Sequence, residues 1–154
     1  MERDVDIADL IHKGGVYQDI EGNTPEEVYK KICTMIPLPE NIAPDVVLTA
    51  LCAREKVLST AVGNGIALPH ARSPIMKSED NQRICVVYLK TPLDMNAPDG
   101  RKVYVMFVLL TYNSQTHLKI IANLVTLFRR AQFRKLLESH ANEAELLNAI
   151  RELD

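Results

Sequence analysis

Two apolar runs limit the fold more than anything else in this chain. Ile84 to Lys90 and Lys102 to Leu110 are β-branched, aromatic or aliphatic at nearly every position. A strand buried on one face alternates apolar with polar residues, so runs without alternation predict strands covered on both faces. Such a sheet needs helices on each side, which makes the chain an α/β layered protein. Residues between the runs, from Thr91-Pro92 to Asp99-Gly100, read as turn chemistry, and Asp94 and Asp99 belong to it rather than to a catalytic carboxylate pair.

Helices for the two layers are legible. Asp6 to Lys13 reads as a short helix stopped at Gly14, and Val16 to Ile20 as a short strand. Thr24 precedes Pro25-Glu26-Glu27, an N-cap followed by a proline at the first helical position and a capping-box glutamate. Val28, Ile32, Met35 and Ile36 continue that helix toward Pro37-Leu38-Pro39. Pro44-Asp45 opens another, with Val47, Ala50 and Leu51 on its inner face. After the last strand, Leu118, Ile121, Leu124, Val125 and Phe128 predict an apolar helical stripe, with His117 in the first turn. Ala131 to Glu138 and Glu143 to Glu152 follow, the latter opened by Asn142 and Glu145 in capping-box spacing.

The 154 residues suit one domain, 1–154. A formal charge of −2 argues against a nucleic-acid or anionic-lipid surface. The longest apolar run, Val103 to Leu110, is far short of the roughly 20 residues of a membrane span. Met1-Glu2-Arg3-Asp4 lacks an apolar signal region, so a cytoplasmic location is expected. Cys33, Cys52 and Cys85 include no Cys-x-x-Cys and read as small buried hydrophobes.

One polar stretch interrupts the layered pattern. Arg54-Glu55 ends a helical run, and Ser59-Thr60 and Gly63-Asn64-Gly65 form a small loop. Ile66-Ala67-Leu68 then makes a β-type step into Pro69-His70. Pro69 biases Leu68 toward an extended backbone, so His70 is expected at a strand's end. Gly63 and Gly65 permit positive φ, which would let loop N–H groups converge as an anion cradle, with Ser59, Thr60 and Asn64 adding donors. The competing reading is that these five residues only set loop shape. Arg54, near a helix C-terminus, equally suits a cap that complements the dipole. His117 stands at a helix N-terminus, which attracts anions. His12 and His140 stand at helix ends and receive no role.

The ordered run Arg54-Glu55, Ser59-Thr60, Gly63-Asn64-Gly65, Ile66-Ala67-Leu68, Pro69-His70, with His117 following later, resembles the active-site segment of the fructose/mannitol/nitrogen (type 2) enzyme IIA proteins of the bacterial phosphoenolpyruvate-dependent phosphotransferase system. The similarity spans about Leu10 to Leu147. It implies a mixed β-sheet of about five strands sandwiched between α-helices. It further implies a phosphoryl group carried covalently on Nε2 of His70, with Nδ1–H held by a backbone carbonyl. His117 and Arg54 would stabilise phosphoryl charge, and Ser59, Thr60 and the Gly63–Gly65 amides are phosphate-contact candidates of lower rank. No cofactor is implied. The donor would be phosphorylated HPr or its nitrogen-branch paralogue, and the acceptor an enzyme IIB, during sugar uptake. Exposed apolar residues are expected around His70, with Leu68, Ile75 and Met76 as candidates.

Two other functions compete. A nitrogen-type regulatory protein would use the same chemistry to switch its binding to other proteins. A metal-dependent hydrolase built on His70 and His117 ranks well below, because no His-x-x-x-His or comparable ligand cluster is present.

Overall fold

The computed structural model describes residues 5–153; Met1 to Asp4, read above for a signal region, lie outside them. In chain order the elements are α1 (Ile7–Gly14), β1 (Val16–Ile20), α2 (Pro25–Ile32), α3 (Pro44–Val57), β2 (Ala61–Gly63), β3 (Ile66–Ala67), β4 (Arg83–Leu93), β5 (Val103–Leu110), α4 (Ser114–Phe128), α5 (Ala131–Glu138) and α6 (Glu143–Leu153). The five strands form one mixed sheet in the order β1-β4-β5-β3-β2. β1 is parallel to β4 and β3 to β5, whereas β4–β5 and β2–β3 are antiparallel.

The expected two-sided burial is present, and the period of two sorts its residues. Ile84, Val86 and Tyr88 of β4, with Val105, Phe107 and Leu109 of β5, pack against α1, α4, α5 and α6. Their neighbours Cys85, Val87, Leu89, Met106, Val108 and Leu110 face the opposite layer, α2 and α3, and meet Val28, Ile32, Val47 and Leu51. α1 lies so close to β4 that a Cβ on Gly14 would stand 2.0 Å from the Ile84 carbonyl oxygen. Cys33 and Cys85 are buried, Cys52 is half-buried, and all three are free thiols.

Capping follows the sequence closely. The Asp6 side chain accepts from Asp9 N–H, and Thr24 Oγ1 accepts from Glu27 N–H at 3.2 Å. Glu27 reaches back one residue further than a capping box does, to Asn23 N–H. Asn142 and Glu145 make the reciprocal pair, each accepting from the other's N–H at 3.0 Å.

Two boundaries and one buried stripe differ from expectation. α2 stops at Ile32, which leaves Met35 exposed. β4 runs on through Pro92 to Leu93, past a register break after Tyr88 that spares the proline a ladder bond. The buried stripe of α4 is Ile120, Leu124, Leu127 and Phe128. His117, Ile120 and Leu124 share one helical face, so turning that face to the sheet leaves Leu118 66 % exposed. Among the described residues, no helix is long and apolar enough to cross a membrane.

Candidate active site

β3 and β5 are parallel neighbours in register, Ile66 opposite Val105 and Ala67 opposite Met106. The chain leaving β3 keeps that register, because Leu109 N–H donates to the Pro69 carbonyl at 2.8 Å and His70 bridges Leu109. The chain leaving β5 passes Thr111 and enters α4, whose N-cap Asn113 accepts from Thr116 N–H at 2.8 Å. Two segments far apart in sequence thus meet beyond the carboxyl ends of adjacent parallel strands, where open α/β sheets form their crevices.

His70 and His117 come together there, with ring centroids 4.9 Å apart and planes inclined at 50°. His70 Nδ1 lies 2.7 Å from the Leu68 carbonyl oxygen. A carbonyl only accepts, so Nδ1 carries the proton and Nε2 keeps its lone pair. His117 Nδ1 lies 3.3 Å from Thr111 Oγ1, a buried hydroxyl. Burial pushes the His70 imidazole below its ordinary ionisation range; the Leu68 carbonyl opposes that, the Arg54 charge adds to it, and Glu55 opposes it. Burial, and then the neighbouring His70, push His117 down to about 4. Both rings are therefore neutral at pH 7, the state in which a histidine is a nucleophile or a neutral N–H donor.

The remaining site candidates are dispersed. Arg54 turns back on its own helix and donates Nη1–H to the Leu58 carbonyl at 2.5 Å, so its contact is that of a helix cap, while its charge is felt at His70. The Ser59 hydroxyl accepts from Ala61 N–H at 3.1 Å. Both the N–H and the O–H of Thr60 are donated to Glu55. The anion-cradle reading of Gly63, Asn64 and Gly65 is corrected. Gly63 pairs with Ile66, and Asn64 and Gly65 form a two-residue hairpin loop with φ of 56° and 78°. Positive φ at both central residues is the demand of a type I′ turn, for which Asn-Gly is the preferred pair. Asn64 N–H is already bound to the Asp99 carboxylate at 2.8 Å. Gly65 accepts from Tyr104 N–H, whereas His70 lies level with Leu109. Five residues of straight strand separate the turn from His70 by about 16 Å.

Leu68 and Met76 are core residues and not the expected exposed apolar rim, and Ile75 is half-buried. Val57, Leu58, Tyr112 and Leu118 are among the exposed large hydrophobic side chains on the segments that carry Arg54 and His117. Sequence reasoning passed over Thr111, a buried polar residue at the end of an apolar strand. It also gave no role to Glu55, although Glu55 stood in the motif. Asp94 and Asp99 do serve turns, accepting from Asn96 and Arg101 N–H.

An open mixed sheet between helical layers, presenting a neutral histidine pair at its carboxyl edge, is the architecture that the fold and site define. The chain belongs to the EIIA 2 family of the phosphoenolpyruvate-dependent sugar phosphotransferase system, whose family model matches residues 9–153. It is 33% identical over 148 residues to the nitrogen regulatory protein of Pseudomonas aeruginosa, covering 94% of this chain and 93% of that protein. Its fold is similar to that of the nitrogen regulatory protein IIA-Ntr of Neisseria meningitidis, with a TM-score of 0.79 at 23% identity over 94% of this chain and 98% of that one. It is also similar to enzyme IIA of mannitol in its complex with phosphorylated enzyme IIB from Escherichia coli, with a TM-score of 0.63 at 16% identity, covering 88% of this chain and 94% of that one.

Proposed function

We propose that this protein is a phosphoryl carrier that accepts its phosphoryl group on Nε2 of His70 from phosphorylated HPr or a nitrogen-branch paralogue. The observation that carries the reading is the 2.7 Å bond from His70 Nδ1–H to the Leu68 carbonyl, which leaves Nε2 as the only nucleophilic nitrogen of the ring. The Nε2 lone pair forms the new P–N bond. The donor's P–N bond breaks and its electron pair returns to the donor imidazole. The His70 proton stays on Nδ1 throughout. The transition state is loose, so catalysis is mostly positioning and stabilisation of charge on the equatorial oxygens. His117 is suited to the second task, because Thr111 Oγ1–H can bind its Nδ1 and leave Nε2–H to donate. Arg54 would contribute by its field rather than by contact in this conformation, and Ser59 and Thr60 shape the segment.

The downstream role is read as regulatory, with the phosphorylation state of His70 controlling binding to other proteins. The similarity to the Pseudomonas aeruginosa nitrogen regulatory protein over nearly the full length of both chains favours it. Delivery to an enzyme IIB during sugar uptake is the second reading, favoured by the family description and by the similarity to a IIA fold seen with phosphorylated IIB.

The test is transfer of labelled phosphate from phosphoenolpyruvate through enzyme I and either HPr or its paralogue. The wild type is expected to gain acid-labile, base-stable label, and His70→Ala none. His117→Ala is expected to take the label slowly. Discharge of that label by an enzyme IIB separates the uptake route from the regulatory one. A wild type that takes no label from either donor overturns the carrier reading.

A further inference from the structure

Glu55 follows Arg54 near the end of α3 and takes part in no ion pair among the described residues. Its carboxylate accepts three hydrogen bonds instead: from Tyr29 O–H at 2.5 Å, from Thr60 N–H at 2.9 Å and from Thr60 O–H at 2.8 Å. Tyr29 and Thr60 are both buried, and burial together with the Glu55 charge keeps the phenol proton on Tyr29, so it remains a donor. A carboxylate facing into a protein with three donors converging on it has its desolvation met, and it ties together the elements that supply them.

The ties continue to the nucleophile. The Thr60 carbonyl accepts from Leu68 N–H at 3.0 Å, and the Leu68 carbonyl accepts from His70 Nδ1–H at 2.7 Å. β3 ends at Ala67, and beyond it the pairing with β5 continues only as the isolated His70–Leu109 bridge. Beyond that point the segment is held on one side by Leu109 N–H, which grips Pro69, and on the other by Thr60, which grips Leu68. Thr60 in turn is held by Glu55. We propose that Glu55 is a positioning residue for phosphoryl transfer: anchored on Tyr29, it fixes Thr60, and through Thr60 the Leu68 carbonyl that keeps the His70 proton on Nδ1. An imidazole without a fixed acceptor distributes its proton over both nitrogens, and a molecule protonated at Nε2 has no nucleophile to offer.

This inference rests on the reading of His70 as the phosphoryl acceptor, but its central measurement does not. Nitrogen-proton correlation NMR of the imidazole rings reads the His70 tautomer in the free protein, before any transfer. In Glu55→Ala the His70 Nδ1 signal is expected to leave the protonated position for an averaged one, with His12 and His140 unmoved. Phosphoryl uptake is expected to fall about tenfold or more, the scale of a small misplacement of a reacting group. Glu55→Gln keeps an acceptor oxygen for Thr60 and is expected to restore both the tautomer and most of the rate. A folded Glu55→Ala protein with the wild-type His70 tautomer overturns the proposal, and so does loss of the tautomer in folded Glu55→Gln. Where Glu55→Ala does not fold, Tyr29→Phe decides, since it removes one of the three bonds; a partly averaged Nδ1 signal supports the proposal and an unchanged one overturns it. A wild type that takes no phosphoryl group yet loses its tautomer in Glu55→Ala refutes the carrier reading and leaves the positioning network standing.

Discussion

The two ends of the β2–β3 hairpin carry similar chemistry in the sequence, small polar residues beside a conformationally special one, and the fold uses them differently. At one end Asn64-Gly65 turns the chain with positive φ and donates its available N–H to Asp99. At the other, Pro69-His70 is pinned to β5 and faces a histidine brought in by α4. The turn end satisfies itself locally. The histidine end leaves the Nε2 lone pair of His70 bound by no donor among the described residues, and that nitrogen is the one proposed to take the phosphoryl group. Polar residues adjacent in sequence to a site are thus divided by the direction of a strand, which separates its two ends by about 16 Å within five residues.

The sharpest test of this contrast is at the histidine end. His117→Ala should slow phosphoryl uptake about a hundredfold, roughly 2.7 kcal/mol of transition-state stabilisation, with the urea midpoint nearly unchanged, as rapid-quench labelling and urea denaturation would show. A rate equal to wild type would mean the ring pairing is packing alone. The turn end should respond in the opposite way. A Cβ on Gly65 would stand 2.4 Å from the Tyr104 ring at a backbone φ of +78°. Gly65→Ala should therefore lose about 2 kcal/mol of stability in urea, with uptake per folded molecule unchanged.

A smaller effect concerns pH. His117 ionises at about 4 in the folded protein and near 6.5 when unfolded. Between those values the unfolded chain binds more protons, so stability is complete above about 6.5 and declines as pH falls toward 4. The ring is half-exposed, and after allowance for solvent screening the decline amounts to about 1 kcal/mol. Urea midpoints across that window should show it, and His117→Gln should flatten it. Smallest of all, Asn64→Asp should change stability by less than about 0.5 kcal/mol and leave labelling unchanged. A large loss of labelling there would revive the cradle that the turn geometry replaces.

Much of the fold was legible because its signals are local. Unbroken apolar runs announced a doubly covered sheet, and Thr24, Asn142 and Glu145 announced helix starts by bonds spanning three residues. The stripe of α4 is legible at Leu124 and Phe128, whereas Ile120 and Leu127 take the buried places expected of Leu118, Ile121 and Val125. Leu118, Ile121 and Val125 form as good an apolar line as Ile120, Leu124 and Leu127, and only packing against β5 chose between them. Gly63-Asn64-Gly65 was legible only as a small loop whose glycines fitted a cradle; the hairpin pairing of Gly63 with Ile66 and the bond from Asn64 N–H to Asp99, on a distant loop, decided its role.

By itself, then, the sequence determined the layered class, the helix caps, and a histidine fixed by a preceding proline at the end of a strand, since each depends on the conformational preference of a few consecutive residues. The tertiary structure alone decided that His117 meets His70, that both rings stand neutral, that the glycine turn lies away from them, and that Glu55 connects to His70 through Thr60 and Leu68. Those outcomes depend on which strands pair and in what register, and on how much water packing removes, quantities that no short stretch of residues specifies.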